Sequence, residues 1–228
     1  VAWWPLDDKQ GATTVKDIQS GFNGSPNPGP VVGPTSWPQA TSGMVDGALS
    51  FGNKSYVEVP NNPQLNPGTG PFTIDTWVYY SGGSAVVVRK MQGGGGVSLP
   101  PTNPALIDWT SGYVIWINPP WISQPGTVVF AVKDVTNGHK SGVASIPVNQ
   151  WVHIAMVLRD PQALNGLEFY VNGNLAATST TASFAFGSIS NNYPLLIGGD
   201  GVNAAEFKVD EVEYFNRALE PSEIQAIF

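Results

Sequence analysis

An all-β domain built from two packed sheets is the fold this sequence predicts, and three observations predict it. Turn residues recur at short intervals, with 26 Gly and 20 Pro in 228 residues. Between them stand about a dozen short segments rich in β-branched and aromatic residues, many with apolar residues in alternation. No stretch sustains the 3.6-residue periodicity of an amphipathic helix. A single domain over residues 1–228 is expected, because sandwiches and barrels of this size commonly fold as one unit.

In chain order the predicted strands are "VAWWPL", "GALSF", "SYVEV", "PFTIDTWVYY", "SAVVVRK", "GYVIWIN", "GTVVFAVK", "GVASI", "QWVHIAMVLR", "GLEFYVN", "NLAATS", "PLLIGG" and "EFKVDEVEYF". In "PFTIDTWVYY" the two-residue repeat puts Phe72, Ile74, Thr76, Val78 and Tyr80 on the core face and Thr73, Asp75, Trp77 and Tyr79 on the other. "QWVHIAMVLR" is apolar on both faces, as a strand covered from each side should be. Asn172-Gly173 between alternating segments is a type I′ hairpin signal. In the closing strand, alternation places Asp210 with Val212 and Tyr214, and Glu211 with Glu213 on the opposite face. The one helical candidate is "PSEIQAIF", with Pro221 at its start and Ser222 or a near neighbour as cap. Residues 23–43 and 91–111 lack a regular pattern and read as long loops, which in compact domains tend to carry function.

Charge and residue usage exclude several classes. The net charge of -7 opposes phosphate, so nucleic acid is not an expected partner. Cysteine is absent, which removes disulfides, thiolate metal sites and a thiol nucleophile. The apolar runs fall far short of the roughly 20 residues that cross a bilayer, so membrane insertion is not expected. His139, in a turn-like stretch, is expected to be exposed, and His153 to be a hydrogen-bonded interior residue or a residue of the concave face.

Seven stretches in order, "AWWPLDD", "VKDIQSGFNG", "GALSFGNKSYVEVPNNPQLNPGTGPFTIDTWVYY", "VNQWVHIAMVLRD", "LEFYVNGNLAATS", "PLLIGGD" and "VDEVEYFNRALEPSEIQAIF", make the chain resemble laminin-G-like domains of the concanavalin A-like lectin/glucanase superfamily. The resemblance runs nearly end to end. It implies a jelly-roll β-sandwich of two antiparallel sheets, each of six or seven strands, with a short C-terminal helix, carried as a module of a secreted or cell-surface protein. It also implies a structural calcium held by Asp17, by Asn23 through its carbonyl and by Asp210, tying the first loop to the last strand. From the residues alone, the Gly/Asn-rich loop at Asp17 supports either a calcium site or an Asx turn in which Asp17 caps its own loop.

Catalysis is not expected. Glycosidases of this superfamily resemble one another in an alternating Glu-x-Asp-x-Glu strand, whereas here position 209 is Val and Asp210 is out of phase with Glu211 and Glu213. Lyases on this fold need basic groups against a uronate, and this chain has three Arg, none in a run with Tyr and His. Aromatic residues outside the strands offer a different chemistry, the stacking of a sugar's C–H face. Trp109, Trp121 and Trp37 lie in irregular segments, Tyr113 opens a strand between the first two, and Asp108 and Asn118 are polar groups able to read hydroxyls. The function expected is a non-catalytic carbohydrate-binding or adhesive module for a neutral or weakly charged oligo- or polysaccharide. The alternatives are a protein–protein interaction domain meeting another extracellular protein and, at lower weight, a polysaccharide hydrolase or lyase.

Overall fold

The computed structural model describes residues 1–28, 37–91, 110–136, 138–182, 186–202 and 205–228, with the side chains of 181 and 182 excepted. One sheet runs in the order β13 (Asn174–Thr178), β12 (Leu167–Val171), β11 (Trp151–Leu158), β6 (Phe72–Gly83), β16 (Ala205–Phe215), β4 (Gly47–Phe51) and β3 (Gln39–Ser42). Its eighth strand, β1 (Ala2–Trp4), pairs with the far half of β16, so that β4 and β1 share one edge of that strand in succession. The second sheet runs β14 (Thr181–Ala182), β10 (His139–Ser145), β9 (Thr127–Lys133), β8 (Gly112–Ile117), β7 (Ala85–Lys90), β15 (Leu195–Ile197), β5 (Tyr56–Val59) and β2 (Ser25–Asn27). Among the described residues all pairings are antiparallel, and each sheet has eight strands rather than six or seven. The additional strands are short edges. β2 and β3 fall in the segment read as a loop, and β2 carries Pro26 where an edge strand tolerates a missing N–H.

Period-two alternation fills the space between the sheets. Phe72, Ile74, Val78 and Tyr80 from β6 meet Val152, Ile154, Met156 and Leu158 from β11 and Tyr113, Ile115, Phe130 and Val132 from the other sheet, all fully or almost fully buried. Phe72 packs on Tyr113 with ring centroids 5.0 Å apart, and Phe130 stacks on Phe169 at 4.9 Å. Truncating such a residue to Ala costs about 3–5 kcal/mol. The hairpin at Asn172-Gly173 has φ of 48° and 73°, the paired positive angles of a type I′ turn.

Outside the first sheet a smaller apolar layer forms where α1 (Pro221–Ile227) lies down. Leu219 and Ile224 bury against Ala155, Val157 and Tyr170, which explains why β11 is apolar on both faces. The cap of α1 is Glu220 rather than Ser222: Glu220 and Glu223 form a capping box, and Arg217 grips Glu223 with two bonds of 2.7 Å.

β16 departs from simple alternation. Asp210 sits opposite Trp77 and Glu213 opposite Asp75, so Glu211 and Val212 together face the single residue Thr76. This is a β-bulge, and Glu211 takes a φ of 52° to make it. Val209, Val212 and Tyr214 point into the core, while Asp210 and Glu213 share the outward side of the strand with Trp77 and Asp75. The expected grouping of Asp210 with Val212 and Tyr214, and of Glu211 with Glu213, therefore fails at the inserted residue.

Candidate ligand-binding cleft

The loop "DDKQGATT" after β1 turns at Gly11, where φ is 82° and the Ala12 amide donates to the Lys9 carbonyl at 2.9 Å. It comes to rest against the start of β3: the Ala40 N–H donates to Gln10 Oε1 at 2.8 Å, and Gln39 Nε2 donates to the Trp37 carbonyl at 2.6 Å. Between the loop, Pro26 of β2 and the Trp37-Pro38 pair lies a cleft of about 440 Å³, within the size range of small-ligand sites. Trp37 is 42% exposed. The described wall is otherwise Gln10, Gly11, Ala12 and Thr13, so it carries an aromatic plane, two prolines, an amide and a hydroxyl, and no charged side chain.

The other predicted ligand residues do not gather here. Tyr113 is 1% exposed and belongs to the core, its hydroxyl donating to the Leu65 carbonyl at 3.3 Å; alternation along β8 turns it inward, so it cannot serve as a platform. Trp121 is half-buried, edge-on to Trp116 at 5.1 Å, and closes a small apolar cluster on the outer side of the second sheet. Asn118 has a φ of 51°, donates its backbone N–H to Thr127 and keeps a buried Oδ1 without a partner, so it shapes the turn after β8. Trp109 and Asp108 lie outside the described residues.

Of the residues expected to hold calcium, Asp17 has hydrogen-bond donors on both oxygens, whereas Asp210 has them on Oδ2 only and keeps a buried Oδ1 without a partner. Asp17 Oδ1 accepts from the N–H groups of Trp3 and Gln19, both at 2.9 Å, and Oδ2 accepts from Ser20 at 3.2 Å and Phe22 at 2.9 Å. Asn23 Oδ1 accepts the Asp17 N–H at 3.0 Å. The structure thus joins Asp17 and Asn23, but as an Asx-type loop centre whose N–H dipoles point at the carboxylate and disfavour a cation. Asp210 serves a different turn, taking the N–H groups of Met44 and Val45 at 2.7 and 3.0 Å on Oδ2. Burial raises its pKa to about 6, with Asp7 adding like charge. Gly43 is required at this turn, since a Cβ there would stand 2.5 Å from Asp210 Oδ2 and 1.9 Å from the Gly47 carbonyl. Asp17 and Asp210 thus organise two different turns, and among the described residues no group of three or more His, Asp or Glu side chains is set for a metal.

A second acidic centre lies under α1. Asp75 and His153 are each 1% exposed, with Asp75 Oδ2 and His153 Nε2 3.7 Å apart. Neither Asp75 oxygen and neither His153 ring nitrogen has a hydrogen-bond partner, so His153 is interior as expected but not hydrogen-bonded through its ring. Trp77 and Phe228 close over them, with ring centroids 5.4 and 6.3 Å from His153. Desolvation raises the Asp75 pKa. Across the strand pair, burial and then the Asp75 charge push Glu213 up to about 7. Glu211, in the bulge, accepts from the Trp3 indole N–H. His139 is half-buried at the first position of β10 instead of exposed in a turn.

Sequence reasoning missed Gln10 and Thr13. The only sign of them is a polar loop with a central glycine, since their partners Pro26 and Trp37 come from later elements. Asp75 did carry a sign, being the one acidic residue within an apolar strand.

Among curated proteins no relative matches. Solved structures do. The binding domain of Paraclostridial Mosquitocidal Protein 1 matches with a TM-score of 0.66 at 16% identity, covering 99% of this chain and 50% of that one. The botulinum neurotoxin serotype G binding domain matches with 0.65 at 14%, covering 99% and 50%. The serotype D ligand binding domain in complex with N-acetylneuraminic acid matches with 0.64 at 12%, covering 100% and 50%. The chain therefore spans about half the length of these domains, and at such identities the likeness is one of fold. Residues 51–225 match the Laminin_G_3 family, and with that match over most of its length the chain belongs to the concanavalin A-like lectin/glucanases superfamily.

Proposed function

We propose that this domain is a non-catalytic carbohydrate-binding module of a secreted or cell-surface protein, and that it takes a short saccharide against Trp37. The observation that supports this reading is the cleft itself: a half-exposed indole beside two prolines, with amide and hydroxyl groups at the rim, in a size range suited to small ligands. A pyranose stacks its C–H face on such a plane while its hydroxyls meet the polar rim. The fold family contains lectins, which lends weight to carbohydrate over other small ligands.

The acidic groups support binding over turnover. Asp75 is enclosed, Asp210 is tied to a turn and Glu211 is held by an indole, so none of the three faces the Trp37 cleft as an open acid or base. A structural calcium adds nothing to this proposal, because the Asp17 loop is complete without one.

Glycan-array screening followed by titration calorimetry tests the reading. Binding to at least one saccharide class is expected, with Trp37→Ala lowering affinity at least about tenfold and Trp121→Ala leaving it within about twofold. Binding that survives Trp37→Ala would place the site elsewhere. Capture of a protein partner with no glycan competition would favour an interaction domain.

A further inference from the structure

Resting on the reading of the Trp37 cleft as a sugar site, we infer that Gln10 is its specificity-determining residue, an N–H donor oriented by Ala40 that selects neutral saccharides and rejects carboxylate- or sulfate-bearing ones. An amide side chain offers one acceptor and two donors, and which end meets a ligand depends on what holds the other. Here the Ala40 N–H occupies Gln10 Oε1 at 2.8 Å. Rotation of the amide would set N–H against N–H, so Oε1 stays with Ala40 and Nε2 is the end available to a ligand. Gln10 lines the same cleft as Trp37 and Thr13, whose hydroxyl both donates and accepts. A saccharide stacked on the indole then presents an acceptor oxygen to Gln10 and a hydroxyl to Thr13.

Charge decides which saccharides qualify. The cleft's described lining contains no Lys, Arg or His, so an anionic sugar would lose water without gaining a counter-charge. The chain's net charge of -7 adds a repulsion. A neutral sugar meets neither penalty.

Gln10→Glu isolates the donor. Glutamate keeps an oxygen for the Ala40 N–H and replaces the N–H end with a second acceptor, while Trp37 is untouched. Wild type, Gln10→Glu and Trp37→Ala are compared by calorimetry on the array's neutral hits and on sialylated, uronate-containing and sulfated oligosaccharides, with melting temperatures confirming the fold. Neutral saccharides should bind wild type, with affinity falling at least about tenfold in Gln10→Glu as the sugar's acceptor oxygen meets a carboxylate oxygen in place of the N–H donor. Anionic saccharides should bind at least about tenfold more weakly than their neutral counterparts. Anionic binding that equals neutral binding and is lost in Trp37→Ala would overturn the selectivity while leaving the cleft as the sugar site. Unchanged neutral affinity in a folded Gln10→Glu would overturn the role of the amide. Absence of any glycan binding, or binding indifferent to Trp37→Ala, would overturn the reading beneath both.

Discussion

Asp17 and Asp75 are both buried carboxylates, and the fold treats them in opposite ways. Asp17 sits in a loop that curls three N–H groups onto its two oxygens, with a fourth supplied by Trp3 of the edge strand β1. Asp75 sits in the middle of a central strand, where neighbouring backbone groups are committed to the ladder and its oxygens have no hydrogen-bond partner. The difference teaches that the stability contributed by a buried charge depends on the freedom of the surrounding backbone. A loop or the free edge of a strand can turn its amides toward a carboxylate, whereas a strand paired on both edges cannot without leaving its sheet.

One substitution in both places should give effects of opposite sign, and the larger is at Asp17. Asp17→Asn removes the charge and leaves two N–H donors facing an NH₂ group, at a cost of about 3 kcal/mol. The expected fall in melting temperature is about 6–12 °C for a domain of this size. The same melting curve should not move when EDTA is added. A lowered midpoint restored by calcium would show that a cation, not the N–H cluster, organises the loop.

The next effect depends on pH and comes from Glu213, which stands next to Asp75 across the sheet. Its folded pKa of about 7 lies above its ordinary 4.5. The protonated form is therefore favoured by folding, so this stability is fully present below about pH 4.5 and is lost as pH rises through 7. Glu213→Gln should stabilise the domain by about 1–2 kcal/mol at pH 8, after allowing for solvent screening of a partly exposed group, and by nothing near pH 4. Denaturant unfolding at the two pH values measures this, and an equal gain at both would remove the Asp75–Glu213 coupling from the account.

The smallest expected effect is at Asp75 itself. Asp75→Asn substitutes a neutral amide for an enclosed carboxyl group whose charged form burial disfavours, and should stabilise by about 1 kcal/mol near neutral pH. A clear loss of stability would mean that the His153 contact, long at 3.7 Å, contributes more than its geometry indicates.

Much of the fold was legible because the period of two is a local property. Alternation identified the inward residues of β6 and β11 and the hairpin at Asn172-Gly173, and each lies where the pattern puts it. It failed in β16, where Glu211 adopts a left-handed conformation with no glycine to announce it, and one inserted residue moved Asp210 to the other face. Among the loop aromatics, composition marked Trp37 and Trp121 alike. Only packing separated the half-exposed indole of Trp37 from Trp121, which folds onto Trp116.

By itself the sequence determined the all-β class, the superfamily, the hairpin and the core faces, since strand periodicity, turn chemistry and composition are written into short stretches of chain. The tertiary structure decided which N–H groups Asp17 meets, where Asp210 and Glu213 point, and which polar residues stand beside Trp37. Those outcomes depend on residues distant in sequence arriving at one place, as Gln10 does at Ala40 and Asp210 does at Met44. Such approach is set by how whole sheets pack and where a strand bulges, and no local pattern encodes it.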